Sequence, residues 1–103
     1  KLYIKMKKIK QKIFNKNYIL YVANNDRLRR KGLSDLKSLR NNVGMLFIYD
    51  KEEKDRSFTM KKTNFDLRIF FLNNNDDIVY QEIGKKRQQK NIRCFGWISR
   101  FVL

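Results

Sequence analysis

The chain predicts an all-β fold: a compact antiparallel sandwich or barrel with one short helix. Three observations point there. Residues 44–80 hold three apolar, aromatic-rich runs, Met45–Tyr49, Ser57–Met60 and Ile69–Leu72, split by a charged hairpin and a polar turn, which is the pattern of adjacent antiparallel strands. A single short segment carries helix start and stop chemistry. The remaining connections are small loops, as expected where many short strands close on one another. With 103 residues the chain forms one domain. Within it, residues 1–17 are a basic N-terminal segment with the first strand, and residues 18–103 carry the more regular pattern.

The elements follow in order. Leu2, Ile4 and Met6 alternate like a strand, whereas Leu2, Met6, Ile9 and Ile13 keep a helical spacing; an extended start with a strand over Ile9–Phe14 is favoured. Asn15, Lys16 and Asn17 suit a tight turn because asparagine tolerates positive φ, and Tyr18–Ala23 is the returning strand. Asn24, Asn25 and Asp26 offer N-cap oxygens to a short helix over Arg27–Lys31, which Gly32 closes. Ser34 or Asp35 starts a further turn, with Leu33, Leu36 and Leu39 facing inward. Residues 40–42 are a loop before the central strands. Asn73–Asp76 is a turn into a strand over Ile78–Gln81, Gly84–Asn91 is a basic loop, and Ile92–Leu103 supplies one or two closing strands.

Composition excludes several chemistries. There is no histidine and a single cysteine, Cys94, so an internal disulfide, Cys/His zinc sites, a Ser-His-Asp triad and a Cys-His pair are all ruled out. Cys94 is expected to pack as a small apolar residue. No run of apolar residues is long enough for a membrane-spanning helix. The first residues form no secretory h-region; a first residue of lysine rather than methionine suggests processing, trimming or an unusual start. No cofactor is implied, and the protein is expected not to be an enzyme.

The net charge is +15, from 25 Lys+Arg against 10 Asp+Glu. Lys, Asn, Ile, Phe and Tyr make up about half the chain, which suggests an AT-rich genome such as that of an organelle, a reduced bacterium or a virus. Codon drift raises lysine, but it does not readily supply nine arginines. At such a charge, self-repulsion opposes compaction unless a polyanion or counterions neutralise it. The charge gathers at both ends: residues 1–16 hold seven lysines and no acid, while residues 76–82 net −3. A polyanion is therefore expected to meet the ends, around a near-neutral core.

Several motifs in the central block resemble the domain-of-unknown-function family 192. Residues 44–49, Gly-Met-Leu-Phe-Ile-Tyr, resemble the family's Gly-Met-Leu-Phe-Val-Phe. Residues 57–63, Ser-Phe-Thr-Met-Lys-Lys-Thr, resemble Ser-Phe-Trp-Met-Lys-Asn-Thr, and residues 67–72 resemble Leu-Asp-Ile-Ile-Phe-Leu. Upstream, residues 26–33 resemble a short Arg-rich helix ending in Gly-Leu. The resemblance covers about Tyr18 to Leu103 and implies a jelly-roll-like β domain, without a known activity. The departures are Thr59 for Trp, Lys62 for Asn, Asp66 for Pro and Arg68 for Asp. They suggest a scaffold that has kept its core and Lys61 but lost its inherited site.

Three basic clusters are candidates for phosphate contact: Lys7, Lys8, Lys10 and Lys12 with Lys5; Arg29 and Arg30 with Arg27 and Lys31; and Lys85, Lys86, Arg87 and Lys90 with Arg93. Each has a plainer explanation: an edge strand guarded by lysines, a helix of structural arginines, a solvated loop. Tyr3, Tyr18, Tyr21, Phe58, Phe70, Phe71 and Trp97 suit base stacking, but their alternation fits core packing better. Asp50, Glu52, Glu53 and Asp55 alternate with cations and fit ion pairing at a hairpin tip rather than calcium or acid–base work; Asp76 and Asp77 fit turn chemistry. The functional expectation is a non-enzymatic protein that binds RNA or DNA phosphates. It would be a structural subunit, among neighbouring proteins, of a ribonucleoprotein such as an organellar ribosome, with the mitochondrial matrix favoured and no membrane. The alternatives are a free-standing module for a peptide, glycan or small ligand, or a virus-encoded accessory protein.

Overall fold

The computed structural model describes residues 6–34, 36–53, 56–94 and 98–102. The order is β1 (Lys8–Ile13), β2 (Lys16–Ala23), α1 (Asp26–Lys31), β3 (Val43–Glu53), β4 (Arg56–Phe58), β5 (Leu67–Leu72), β6 (Ile78–Gly84), β7 (Ile92–Cys94) and β8 (Ile98–Val102). The fold is a mostly β sandwich with one short helix, as the sequence predicts. Six strands form one sheet, β1-β2-β3-β8-β5-β6, and β4 with β7 forms a small second sheet.

The central runs alternate because the sheet has two apolar faces. On one face Met45, Phe47, Ile69 and Phe71 join Ile92 and Cys94 from the smaller sheet, Met60 from the connection after β4 and Leu33 from beyond α1. On the other, Leu20, Leu46 and Phe70 pack with Ile9, Ile13 and Leu72. A period of two sends successive residues of β3 and β5 to opposite sides. Leu36 and Leu39 pack against the first cluster, and Cys94 is buried in it as a small apolar residue.

The topology corrects the expected adjacency. The three central runs do not pair in series: β8 lies between β3 and β5, and β4 leaves for the second sheet. Two pairings that are remote in sequence, β3–β8 and β5–β8, decide this. The β2–β3 pair is parallel, which requires a crossover, and α1 with the loop after it provides that crossover.

The β1–β2 turn is also tighter than expected. Ile13 pairs with Lys16, which leaves Phe14 and Asn15 as a two-residue loop at φ 49° and 67°. Positive φ at both positions matches the right-handed twist of a hairpin. Phe14 tolerates it while its ring meets Phe70 edge-on at 5.6 Å. α1 is capped as expected: Asn25 Oδ1 accepts the Leu28 N–H at 2.9 Å, and Gly32 at φ 50° donates its N–H to the Leu28 carbonyl.

Candidate functional site

A cleft of ≈ 1010 Å³ opens between α1 and the segment that runs from β4 to Thr63. Its walls follow from the crossover. α1 must lie over the sheet to join two parallel strands, and the residues from β4 to Thr63 line the cleft opposite it. Six cations line the cleft: Arg27, Arg29, Arg30 and Lys31 from the helix, and Lys61 and Lys62 from the facing turn. No carboxylate lines it among the described residues. Ser34, Ser57, Thr59 and Thr63 bring hydroxyls, and Phe47, Tyr49 and Phe58 form an aromatic floor.

Arg29 departs from its expected role. Its Nη1 donates to the Ile48 carbonyl at 2.5 Å, its Nη2 pairs with Asp26 at 2.6 Å, and its guanidinium sits 4.8 Å from the Tyr49 ring centre. A guanidinium so committed ties α1 to β3 and has little left for a phosphate, so Arg29 is a structural residue. Arg56 covers Tyr49 as well, at 3.6 Å. The Arg29 hydrogen bond, with the neighbouring charge, holds the Asp26 carboxyl below its ordinary range. Arg27 and Arg30 are exposed at the mouth of the cleft.

The basic β6–β7 loop joins the same wall. The Arg87 N–H donates to the Thr63 carbonyl at 3.0 Å, and Arg87 Nη1 to the Lys61 carbonyl at 3.3 Å. Asp66 accepts the Lys86 N–H at 2.8 Å and pairs with Lys85 Nζ at 3.5 Å. These contacts set Arg87 beside Lys61, and Lys85, Lys86, Arg87 and Lys90 are all exposed. One of the three expected clusters thus lines the cleft, and a second is tied to the segment 61–63 through Arg87.

The β1 lysines form a separate stretch. β1 and β6 are opposite edges of the large sheet. Lys7, Lys8, Lys10 and Lys12 are exposed, and Lys8 Nζ lies 5.8 Å from the Tyr21 ring centre. Lys12 borders a second, apolar hollow of ≈ 440 Å³ with Ile13, Phe14 and Phe70.

Among the aromatics, Phe70 and Phe71 are core residues, and Tyr18 and Tyr21 pack half-buried against the two clusters. Phe58 packs against the first cluster and also lines the cleft. Lys5, Tyr3, Trp97 and Asp55 lie outside the described residues, and the side chain of Glu53 does too. Glu52 Oε2 accepts the Asn74 N–H at 2.8 Å. Turn chemistry holds Asp76 and Asp77, whose N–H groups donate to the carbonyl and side-chain oxygens of Asn73. No cluster of metal-ligating side chains occurs among the described residues.

Two of the family departures, Thr59 and Lys62, line the open cleft. Asp66 anchors the basic loop, and Arg68 lies exposed on β5, outside the cleft. Sequence reasoning did not put Lys61, Lys62 and Thr63 forward as binding residues, and it weighed Phe58 for base stacking but favoured core packing. Their signal was the resemblance at residues 57–63, which says nothing of what faces them.

Comparison with known proteins agrees with this architecture. The family model DUF192, described as "Uncharacterized ACR", matches residues 7–100 and so takes in β1 as well as the motif-bearing region. No curated protein matches. The crystal structure of a candidate transcription regulator from Sinorhizobium meliloti 1021 is similar with a TM-score of 0.81 at 16% identity, over 92% of this chain and 76% of that one. A protein of unknown function from Novosphingobium aromaticivorans DSM 12444 is similar with a TM-score of 0.79 at 15% identity, over 94% and 71%. At these identities the likeness concerns the fold alone.

Proposed function

The chain belongs to the DUF192 family, and from that premise we propose that this member is a non-enzymatic protein that binds the phosphate backbone of nucleic acid along the mouth of the α1 cleft. One observation carries the reading: five cations besides the structural Arg29, and no carboxylate, line the cleft among the described residues, and the exposed β6–β7 loop is itself basic. Phosphate oxygens are the ligands such an array suits, because neutralising each one releases counterions. Arg27, Arg30, Lys61, Lys62, Lys85, Lys86, Arg87 and Lys90 are the contact residues, with Lys7, Lys8, Lys10 and Lys12 as a second stretch. Its place is within a larger nucleoprotein assembly, where a polyanion offsets the +15 charge.

The test is the salt dependence of affinity for a mixed-sequence RNA. The logarithm of affinity should fall linearly with the logarithm of salt concentration. Arg30→Gln and Lys62→Gln should each flatten that slope by about one unit. Affinity that ignores salt would refute the proposal. The concave form of the cleft favours a second reading, a small-ligand module, for which affinity would not track salt in this way.

A further inference from the structure

The cations at the mouth account for phosphates along a strand but not for the floor beneath them. Thr63 is only 4% exposed, yet it lines the cleft, and its hydroxyl has no hydrogen-bond partner among the described residues. Its main chain is occupied: the N–H donates to the Met60 carbonyl at 3.0 Å, and the carbonyl accepts the Arg87 N–H. Most buried hydroxyls are bonded, and one left over calls for an explanation. An acceptor that enters from the cleft would supply the missing partner.

The surroundings select the acceptor. Lys61 and Lys62 precede Thr63 on one turn and are exposed, and Arg27 and Arg30 are exposed on α1 across the cleft. The turn is held in place: Met60 is fully buried, and Thr59 Oγ1 accepts the Lys61 N–H at 3.3 Å. Among the described residues no carboxylate lines the cleft to compete for these cations. Cations on two walls above a hydroxyl donor suit a compact, multiply charged oxyanion. An internal phosphodiester carries a single charge and is flanked by sugars that keep it on the strand's outer surface. A terminal phosphomonoester projects from the strand, with a charge of about −1.5 to −2 at pH 7 and three acceptor oxygens. Such a group can offer one oxygen to each wall and one to the floor.

We propose that the cleft takes the phosphomonoester end of a nucleic-acid strand, one oxygen accepting from Thr63 Oγ1 and the others held by Arg27 and Arg30 on one wall and Lys61 and Lys62 on the other. This rests on the phosphate reading and deepens it, from the backbone of a strand to its end. The internal phosphates of the same strand stay outside the cleft, where the exposed basic loop is tied to Lys61 through Arg87.

The experiment compares, by fluorescence anisotropy at low and raised salt, an internally labelled single strand in three forms: 5′-phosphorylated, 3′-phosphorylated, and with hydroxyls at both ends. The hydroxyl-ended strand is one nucleotide longer, so that all three carry the same number of phosphates. One phosphorylated form should bind about tenfold tighter than the hydroxyl-ended strand. Thr63→Val should lower the affinity for that form by about fivefold or more and leave the hydroxyl-ended strand and its salt slope unchanged. Thr63→Ser keeps the hydroxyl and should keep the preference. Thr63→Val should melt no lower than the wild type, since it removes an unsatisfied hydroxyl, and so separates binding from folding; a lower melting temperature would show the hydroxyl satisfied within the fold and overturns the proposal. Equal, salt-dependent affinity for all three strands overturns end recognition and leaves the phosphate-binding mouth standing. A full preference in Thr63→Val also overturns it. Inorganic phosphate or a phosphoserine peptide that displaces the strand at equal concentration overturns it in favour of another phosphomonoester. Failure to bind any of the strands at low salt removes both readings.

Discussion

Asp66 shows how one side chain organises a surface. It accepts the Lys86 N–H, and that bond is the main cause of a carboxyl pKa held below the ordinary aspartate range. Because the folded value lies below the unfolded one, the contact contributes above about pH 4 and is lost as the pH falls through the lowered value. The Lys86 amide shift should therefore titrate with a midpoint below that of an ordinary aspartate, and Asp66→Asn should abolish that titration and loosen residues 85–90. An amide that titrates at the ordinary value would show the loop to be held otherwise. Gly84 makes a second residue-scale case. A Cβ there would lie 2.8 Å from Ile92 Cδ1 and from Met60 Sδ. Gly84→Ala should destabilise the fold by about 1–3 kcal/mol in a denaturant midpoint series, because the buried side chains of Ile92 and Met60 must shift to admit the new Cβ. Such a position is legible as glycine in the sequence, but its reason is not, since its neighbours come from the β4–β5 connection and β7.

At the scale of elements, α1 is short, so its stability comes from its ends and from its docking. Asn25 satisfies one orphan N–H, and Gly32 closes the other end with a carbonyl contact. Asn25→Ala should cost about 1 kcal/mol, read by chemical denaturation, and should weaken RNA binding only through loss of the cleft wall. An unchanged midpoint would show that Arg29 alone carries the helix. The caps were legible because capping is local chemistry within six residues. That Arg29 would be spent on Ile48 and Tyr49 was not, because the helix meets β3 only once the parallel crossover has formed. Similarly, the two-residue turn at Phe14 and Asn15 displaced the asparagine-rich turn expected one position later. Strand register, set by burying Ile9 and Leu20 on one face, overrode local turn preference.

For the whole molecule, the charge of +15 is a global load. Its self-repulsion should make stability rise with salt, and rise further with a polyanion that binds the folded state. A single-stranded RNA should raise the melting temperature more than sodium chloride at equal ionic strength. Equal shifts would mean that screening, rather than a site, relieves the charge. The two basic ends do not merge. β1 and β6 are opposite edges of the sheet, and only the β6–β7 loop reaches the cleft.

Alternating apolar runs, the caps and the excess of lysine and arginine determined the strand-rich class, the single helix, the buried Cys94 and the net positive charge. These are properties of neighbouring residues or of sums over the chain. The insertion of β8 between β3 and β5, and the crossover that sets α1 against residues 57–63, were decided only by tertiary structure. So was the meeting of Thr63, Phe58, Lys61 and Lys62 in one cleft. Each depends on contacts between segments far apart in the chain, where side-chain packing rather than local preference chooses the partner.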